Sequence, residues 1–183
     1  MIKDKAKFLV LVGILLIIGS CGFSIYTNSK AYIANKELTH DELTKCISQY
    51  WFQDEQINFT IELEKDIDDL HLLLLSYQQD PNSSQKTGLA VFKRLPNGKY
   101  RYTFFAHPTL STISTVVLTP NEGVSSKSNY GVIFGIISNN QPSKYSVTFG
   151  GNEYTDTFEK NKYFIREYDL KTQTGFSWRS IYN

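Results

Sequence analysis

Hydrophobic and polar positions change rhythm along the chain. From Phe8 to Tyr26 there are 19 residues without a charge, and Phe8–Ile18 is almost uninterruptedly apolar. Residues 27–38 are mainly polar and read as a tether. The period then becomes helical: Leu43, Cys46, Ile47, Tyr50 and Trp51 fall at i, i+3, i+4, i+7 and i+8. This spacing predicts an amphipathic helix over 40–53. Thr39-His40-Asp41-Glu42 has the form of a capping box, with Leu38 and Leu43 at the staple positions around it.

Beyond the helix the period falls to two. Ile57, Phe59, Ile61 and Leu63 alternate with Asn58, Thr60, Glu62 and Glu64, which predicts a half-buried strand. Residues 65–69 read as a turn. The segment His71–Tyr77 contains Leu72-Leu73-Leu74-Leu75 between turn signals and reads as a strand. Thr87–Arg94 and Lys99–Ala106 flank Pro96-Asn97-Gly98, a hairpin signal. Tyr100, Tyr102, Phe104 and Ala106 are expected to share one face. Thr112–Leu118 is a further β-branched run. Tyr130–Ile137 is apolar on both faces, with Gly131 and Gly135 allowing a bulge or a close approach. Tyr145–Phe149 and Glu153–Phe158 flank Gly150-Gly151-Asn152, a second hairpin, and Tyr163–Tyr168 and Phe176–Ile181 complete roughly ten strands. The expected fold is mainly β, an antiparallel sandwich or barrel-like domain with one N-terminal amphipathic helix.

The 183 residues carry 19 Lys+Arg against 18 Asp+Glu, which disfavours nucleic acid as a partner. Two cysteines make neither a disulfide framework nor a four-Cys zinc site. Charge matters most at the start: Lys3, Lys5 and Lys7 precede the apolar stretch. One reading is a membrane-spanning helix, which needs about 20 mostly apolar residues and would leave the N-terminus cytoplasmic. Another is a lipoprotein signal, in which Ile18-Gly19-Ser20-Cys21 resembles a lipobox and Cys21 is the lipidated residue. A cleaved secretory signal is a third. The first two readings predict residues 1–26 as anchor or signal, 27–38 as tether, and 39–183 as an extracytoplasmic helix-plus-β domain held at the cell membrane.

Local motifs for catalysis are sparse. His40, His71 and His107 have no paired-histidine or His-Glu-x-x-His spacing, so neither metal nor cofactor is assigned. Asp66, Asp68 and Asp69 offer oxygen ligands at close spacing, but the glycine and terminal glutamate of a calcium loop are missing, and a solvated turn is the simpler account. No Gly-x-Ser-x-Gly elbow or phosphate-binding glycine pattern occurs. Cys46 lies on the apolar helix face, where thiolate formation is suppressed. Glu62 or Glu64 could pair with Glu167 or Asp169 only if the fold built a cleft between them. Residues 37–69 hold ten acids against Lys45 and Lys65, whereas 70–183 hold twelve basic and seven acidic residues. Pairing within the molecule accounts for this polarity most simply; a surface that orients a partner is the alternative.

Aromatic residues make up 14% of the chain. Tyr100, Tyr102 and Trp178 are the candidates for a binding stripe, and His107 is a candidate at a strand end. The basic start, the apolar anchor, the helix containing Tyr50-Trp51, and the strings Tyr130-Gly-Val-Ile-Phe-Gly135 and Tyr163-Phe-Ile165 resemble small membrane-anchored or lipoprotein envelope proteins of Gram-positive bacteria. The resemblance brings no catalytic residue with it. The expected function is a non-catalytic, membrane-anchored binding module facing an envelope protein partner or wall polymer. The alternatives are an envelope hydrolase acting on wall polymer or peptide and an accessory subunit of a membrane complex.

Overall fold

The computed structural model describes residues 35–52, 57–78, 80, 82–106, 113–119, 128–171 and 175–181. It is mainly β. Strand β1 (Glu37–Leu38) precedes helix α1 (His40–Trp51), and ten further strands follow: β2 (Phe59–Ile67), β3 (Leu70–Tyr77), β4 (Lys86–Arg94), β5 (Tyr100–Ala106), β6 (Ile113–Leu118), β7 (Asn129–Ile136), β8 (Lys144–Phe149), β9 (Asn152–Thr157), β10 (Tyr163–Lys171) and β11 (Phe176–Ile181). Three antiparallel sheets result, in the orders β1-β5-β4-β3-β2, β10-β7-β6 and β11-β8-β9. No helix among the described residues is long and apolar enough to cross a membrane, and the expected anchor, residues 1–26 with Cys21, lies outside them.

The sheets stack in layers, with α1 on the outer face of the first. Leu43, Cys46 and Ile47 of α1 pack on Leu73, Leu75, Ala90, Phe92 and Phe105. The opposite face of the first sheet presents Leu72, Leu74, Leu89 and Val91 to Leu118, Val132, Phe134 and Ile165 of the second. A third cluster, Ile113, Ile133, Ile137, Tyr145, Val147 and Phe158, joins the second sheet to the third. Successive strand residues face opposite sides, so the middles of β3 and β7, covered on both faces, are apolar at consecutive positions. This explains the unbroken leucine run and the Val132–Phe134 string. Gly131 has a packing reason: a Cβ there would lie 2.5 Å from the Phe176 ring. The glycine lets the third sheet approach the second.

Local signals read from sequence reappear as geometry. The capping box forms at the start of α1. The Thr39 N–H and hydroxyl donate to the Glu42 carboxylate at 2.9 and 3.1 Å. Those bonds, together with Lys36, pull the Glu42 carboxyl down to about 2. Leu38 is buried and extends the folded body two residues into the segment expected to be tether. Both hairpin turns form, with Gly98 at φ +77° and Gly150 and Gly151 at φ +60° and +74°.

The expected turn at 65–69 is shorter than that, because β2 runs on to Ile67 and only Asp68 and Asp69 turn the chain. Two bulges in the first sheet depart from the expected alternation. In β5, Tyr102 pairs with Phe92 and Phe104 with Val91, leaving Thr103 extra. Phe105 therefore joins Tyr102 on the helix side, and Phe104 turns to the second sheet. The expected common face of Tyr100, Tyr102 and Phe104 is thereby broken. In β2, Ile61 pairs with Leu75 and Leu63 with Leu74, leaving Glu62 extra.

Candidate functional site

The β2 bulge reverses the facing of everything after it. Before it, Phe59 and Ile61 pack toward α1. After it, Leu63 is left 37% exposed. Glu64 and Asp66 then pair with Leu73 and His71 and share the helix face. The capping box fixes the first turn of α1 above this strand end. His40, the first residue of α1, is thus set over Glu64, and His71 at the start of β3 rises from the sheet beside it.

His40 Nε2 lies 3.3 Å from Glu64 Oε2. His71 Nε2 lies 3.7 Å from the same oxygen. One ligand atom from each of the three residues falls within 4.8 Å of the others, a grouping that could hold a metal ion. His71 is buried, whereas His40 and Glu64 are open to solvent. Tyr100 closes one side, its ring 5.0 Å from that of His71 and 6.0 Å from that of His40.

Asp66 decides the state of the His71 ring. Its Oδ1 sits 2.7 Å from His71 Nδ1. A carboxylate only accepts, so Nδ1 carries the proton, and in the neutral ring Nε2 keeps its lone pair. That Nε2 is buried and has no hydrogen-bond partner. The other oxygen of Asp66 accepts from Arg94 at 3.1 Å, and Arg94 also donates to the carbonyl of Asp68 at 3.3 Å. The arrangement holds a bare imidazole nitrogen beside a carboxylate and a second imidazole, suited either to metal ligation or to accepting a proton.

The remaining candidates spread over the molecule. Tyr102 is half-buried against Trp51 and Phe92, with ring centres 5.9 and 6.1 Å away. Trp178 lies two sheets away from α1, with its ring 5.1 Å from that of Tyr145. Tyr100, Tyr102 and Trp178 thus form no common stripe, and Tyr100 alone reaches the histidine cluster. His107 lies outside the described residues.

The acidic segment is largely paired within the molecule. Glu37 faces Lys99 and Arg101, Asp66 faces Arg94, and Asp69 faces Lys93. Asp68 accepts from the Tyr130 hydroxyl at 2.8 Å. Glu167 is held by Lys65, and Glu62 by Ser76. A separate pocket of about 250 Å³ lies at the 138–144 turn, lined by Asn140, Gln141, Pro142, Ser143, Lys144, Lys160 and Ile181. Its lining holds no carboxylate, histidine or thiol.

No linear motif could have exposed the histidine cluster, because its members stand 24 and 7 residues apart and meet only after the bulge. The sole hint was His71 following a run of aspartates. No protein-family model matches the chain, and neither a curated protein nor a solved structure matches it.

Proposed function

We propose that the chain is a non-catalytic binding module of the bacterial envelope, anchored by its N-terminus with residues 39–183 on the extracytoplasmic side. The order of the chain carries this reading: three lysines, 19 residues without a charge, a polar tether, then a β body. Basic residues before an apolar stretch favour a cytoplasmic N-terminus and an exported body. A rigid β body held close to a membrane suits recognition of an envelope protein or wall polymer. The test is protease treatment of intact cells followed by crosslinking in the native membrane. Protection of the body from protease, or solubility without detergent, would contradict the anchor. A stoichiometric protein or glycan in the crosslinked product supports the binding role.

A second reading, an envelope hydrolase, is favoured by one observation: the Asp66–His71 pair with its bare Nε2 has the makings of a general base. Release of fragments from wall polymer or peptide, lost in His71→Gln, would replace the first reading.

A further inference from the structure

The geometry points to a divalent transition-metal site formed by His40, Glu64 and His71, with Asp66 as its outer-shell support. The inference goes beyond the anchored-module reading and holds whichever membrane attachment the chain uses.

Three observations carry it. The first is the donor set: two imidazoles and one carboxylate are the ligands borderline metals such as Zn²⁺ take, whereas Ca²⁺ and Mg²⁺ prefer all-oxygen shells. The second is spacing. With metal–ligand bonds of about 2.0–2.1 Å, neighbouring ligands of a tetrahedral ion stand roughly 3.3 Å apart. Glu64 Oε2 is 3.3 Å from His40 Nε2 and 3.7 Å from His71 Nε2. All three ligand atoms lie within 4.8 Å of one another, and the two ligands that must adjust, His40 and Glu64, have side chains 55% and 43% exposed.

The third observation is independent of the grouping. His71 is only 6% exposed, yet its Nε2 has no hydrogen-bond partner. A buried polar nitrogen left bare costs on the order of 1–3 kcal/mol. Here Asp66 enforces that condition by accepting the hydrogen bond from Nδ1–H, which leaves Nε2 as the unprotonated nitrogen. Metal-ligating histidines are oriented in this way, with the second nitrogen donating to a carboxylate. Arg94 fixes the carboxylate in turn. A lone pair held toward His40 and Glu64 is therefore supplied with everything but the ion.

Three protein ligands leave a fourth position, and the exposure of His40 and Glu64 puts it toward solvent. The site also bridges elements distant in sequence, so a bound ion ties the first turn of α1 to the β2–β3 hairpin. The chain just before that turn is the expected tether.

The test is titration of the full-length protein in detergent with Zn²⁺ against a chromophoric chelator, with thermal unfolding in parallel. One ion per chain is expected, with a rise in Tm that Mg²⁺ at equal concentration does not give. His40→Ala and Glu64→Gln alter exposed side chains, so both should keep the wild-type unfolding midpoint without metal, and each should weaken binding by 10-fold or more. His71→Gln should abolish binding; His40→Ala keeps the test valid if that variant does not fold. Failure of the wild type to bind, or binding unchanged in both His40→Ala and Glu64→Gln, would overturn the proposal. So would equal binding of Mg²⁺.

Discussion

The two bulges of the first sheet do the same thing to the backbone and opposite things to the surface. Each adds one residue and reverses the facing of the strand beyond it. In β5 the reversal exchanges apolar for apolar: Phe105 packs under α1 and Phe104 against the second sheet. In β2 it turns Leu63 to solvent and brings Glu64 and Asp66 onto the helix face. The first bulge leaves apolar residues on both faces. The second leaves Leu63 37% exposed, buries Ile67 against the second sheet, and gathers carboxylates around a buried histidine. The comparison teaches that one backbone device can redistribute apolar residues alone, as in β5, or can also gather polar side chains on one face, as in β2.

This contrast can be broken by mutation, beginning with the largest effect. Phe105→Ala should cost about 3–5 kcal/mol in denaturant unfolding, since it removes a buried ring and leaves a cavity under α1. Leu63→Ala should stay within about 0.5 kcal/mol, although the alternation of β2 marks Leu63 as a core residue. A large loss at Leu63 would mean that β2 has no bulge. Gly88→Ala tests the β5 bulge from the partner strand. Its Cβ would meet the Phe105 ring at 2.3 Å, so an overpacking cost of about 1–3 kcal/mol is expected. An unchanged midpoint would place Phe105 elsewhere.

At the second bulge the effect is on binding rather than stability. Asp66→Asn should leave the unfolding midpoint nearly unchanged and weaken Zn²⁺ binding about 10–100-fold, the range typical of outer-shell partners. The smallest effect lies at the turn beyond β2. Burial first, and the bond to Asp68 second, raise the Tyr130 phenol to about 12. A raised phenol stabilises the fold fully below pH 10 and loses that contribution as pH climbs toward 12. The buried Cys46 thiol, raised to about 11, adds a similar loss from pH 9 upward. Tyr130→Phe should make the upper part of the alkaline unfolding curve shallower, leaving the share of the other raised phenols, Tyr77, Tyr163 and Tyr168, and the Cys46 part in place.

Much of the architecture was legible because it follows local rules. Thr39 and Glu42 announced the helix start, Asn97-Gly98 and Gly150-Gly151 the hairpins, and alternation the strand type. The four leucines of β3 were legible as a strand, and their burial on both faces explains why no polar residue interrupts them. The bulges were not legible. Ile57, Phe59, Ile61 and Leu63 continue an unbroken alternation through Glu62, and nothing in that pattern marks an extra residue. The site depends on the bulge, so it was hidden with it. Aromatic character marks Tyr100 and Trp178 alike in the sequence, but Tyr100 reaches the cluster whereas Trp178 packs in a different layer, because β11 belongs to the third sheet.

The central claim is that Asp66 keeps the His71 Nε2 bare and aimed at a shared site. Long-range ¹H–¹⁵N correlation spectra of the full-length protein, recorded with and without Zn²⁺, address it directly. The account predicts a protonated Nδ1 and an unprotonated Nε2 on His71 in the metal-free protein, with Nε2 shifting when Zn²⁺ is added. A protonated Nε2 that is unmoved by Zn²⁺ would contradict it.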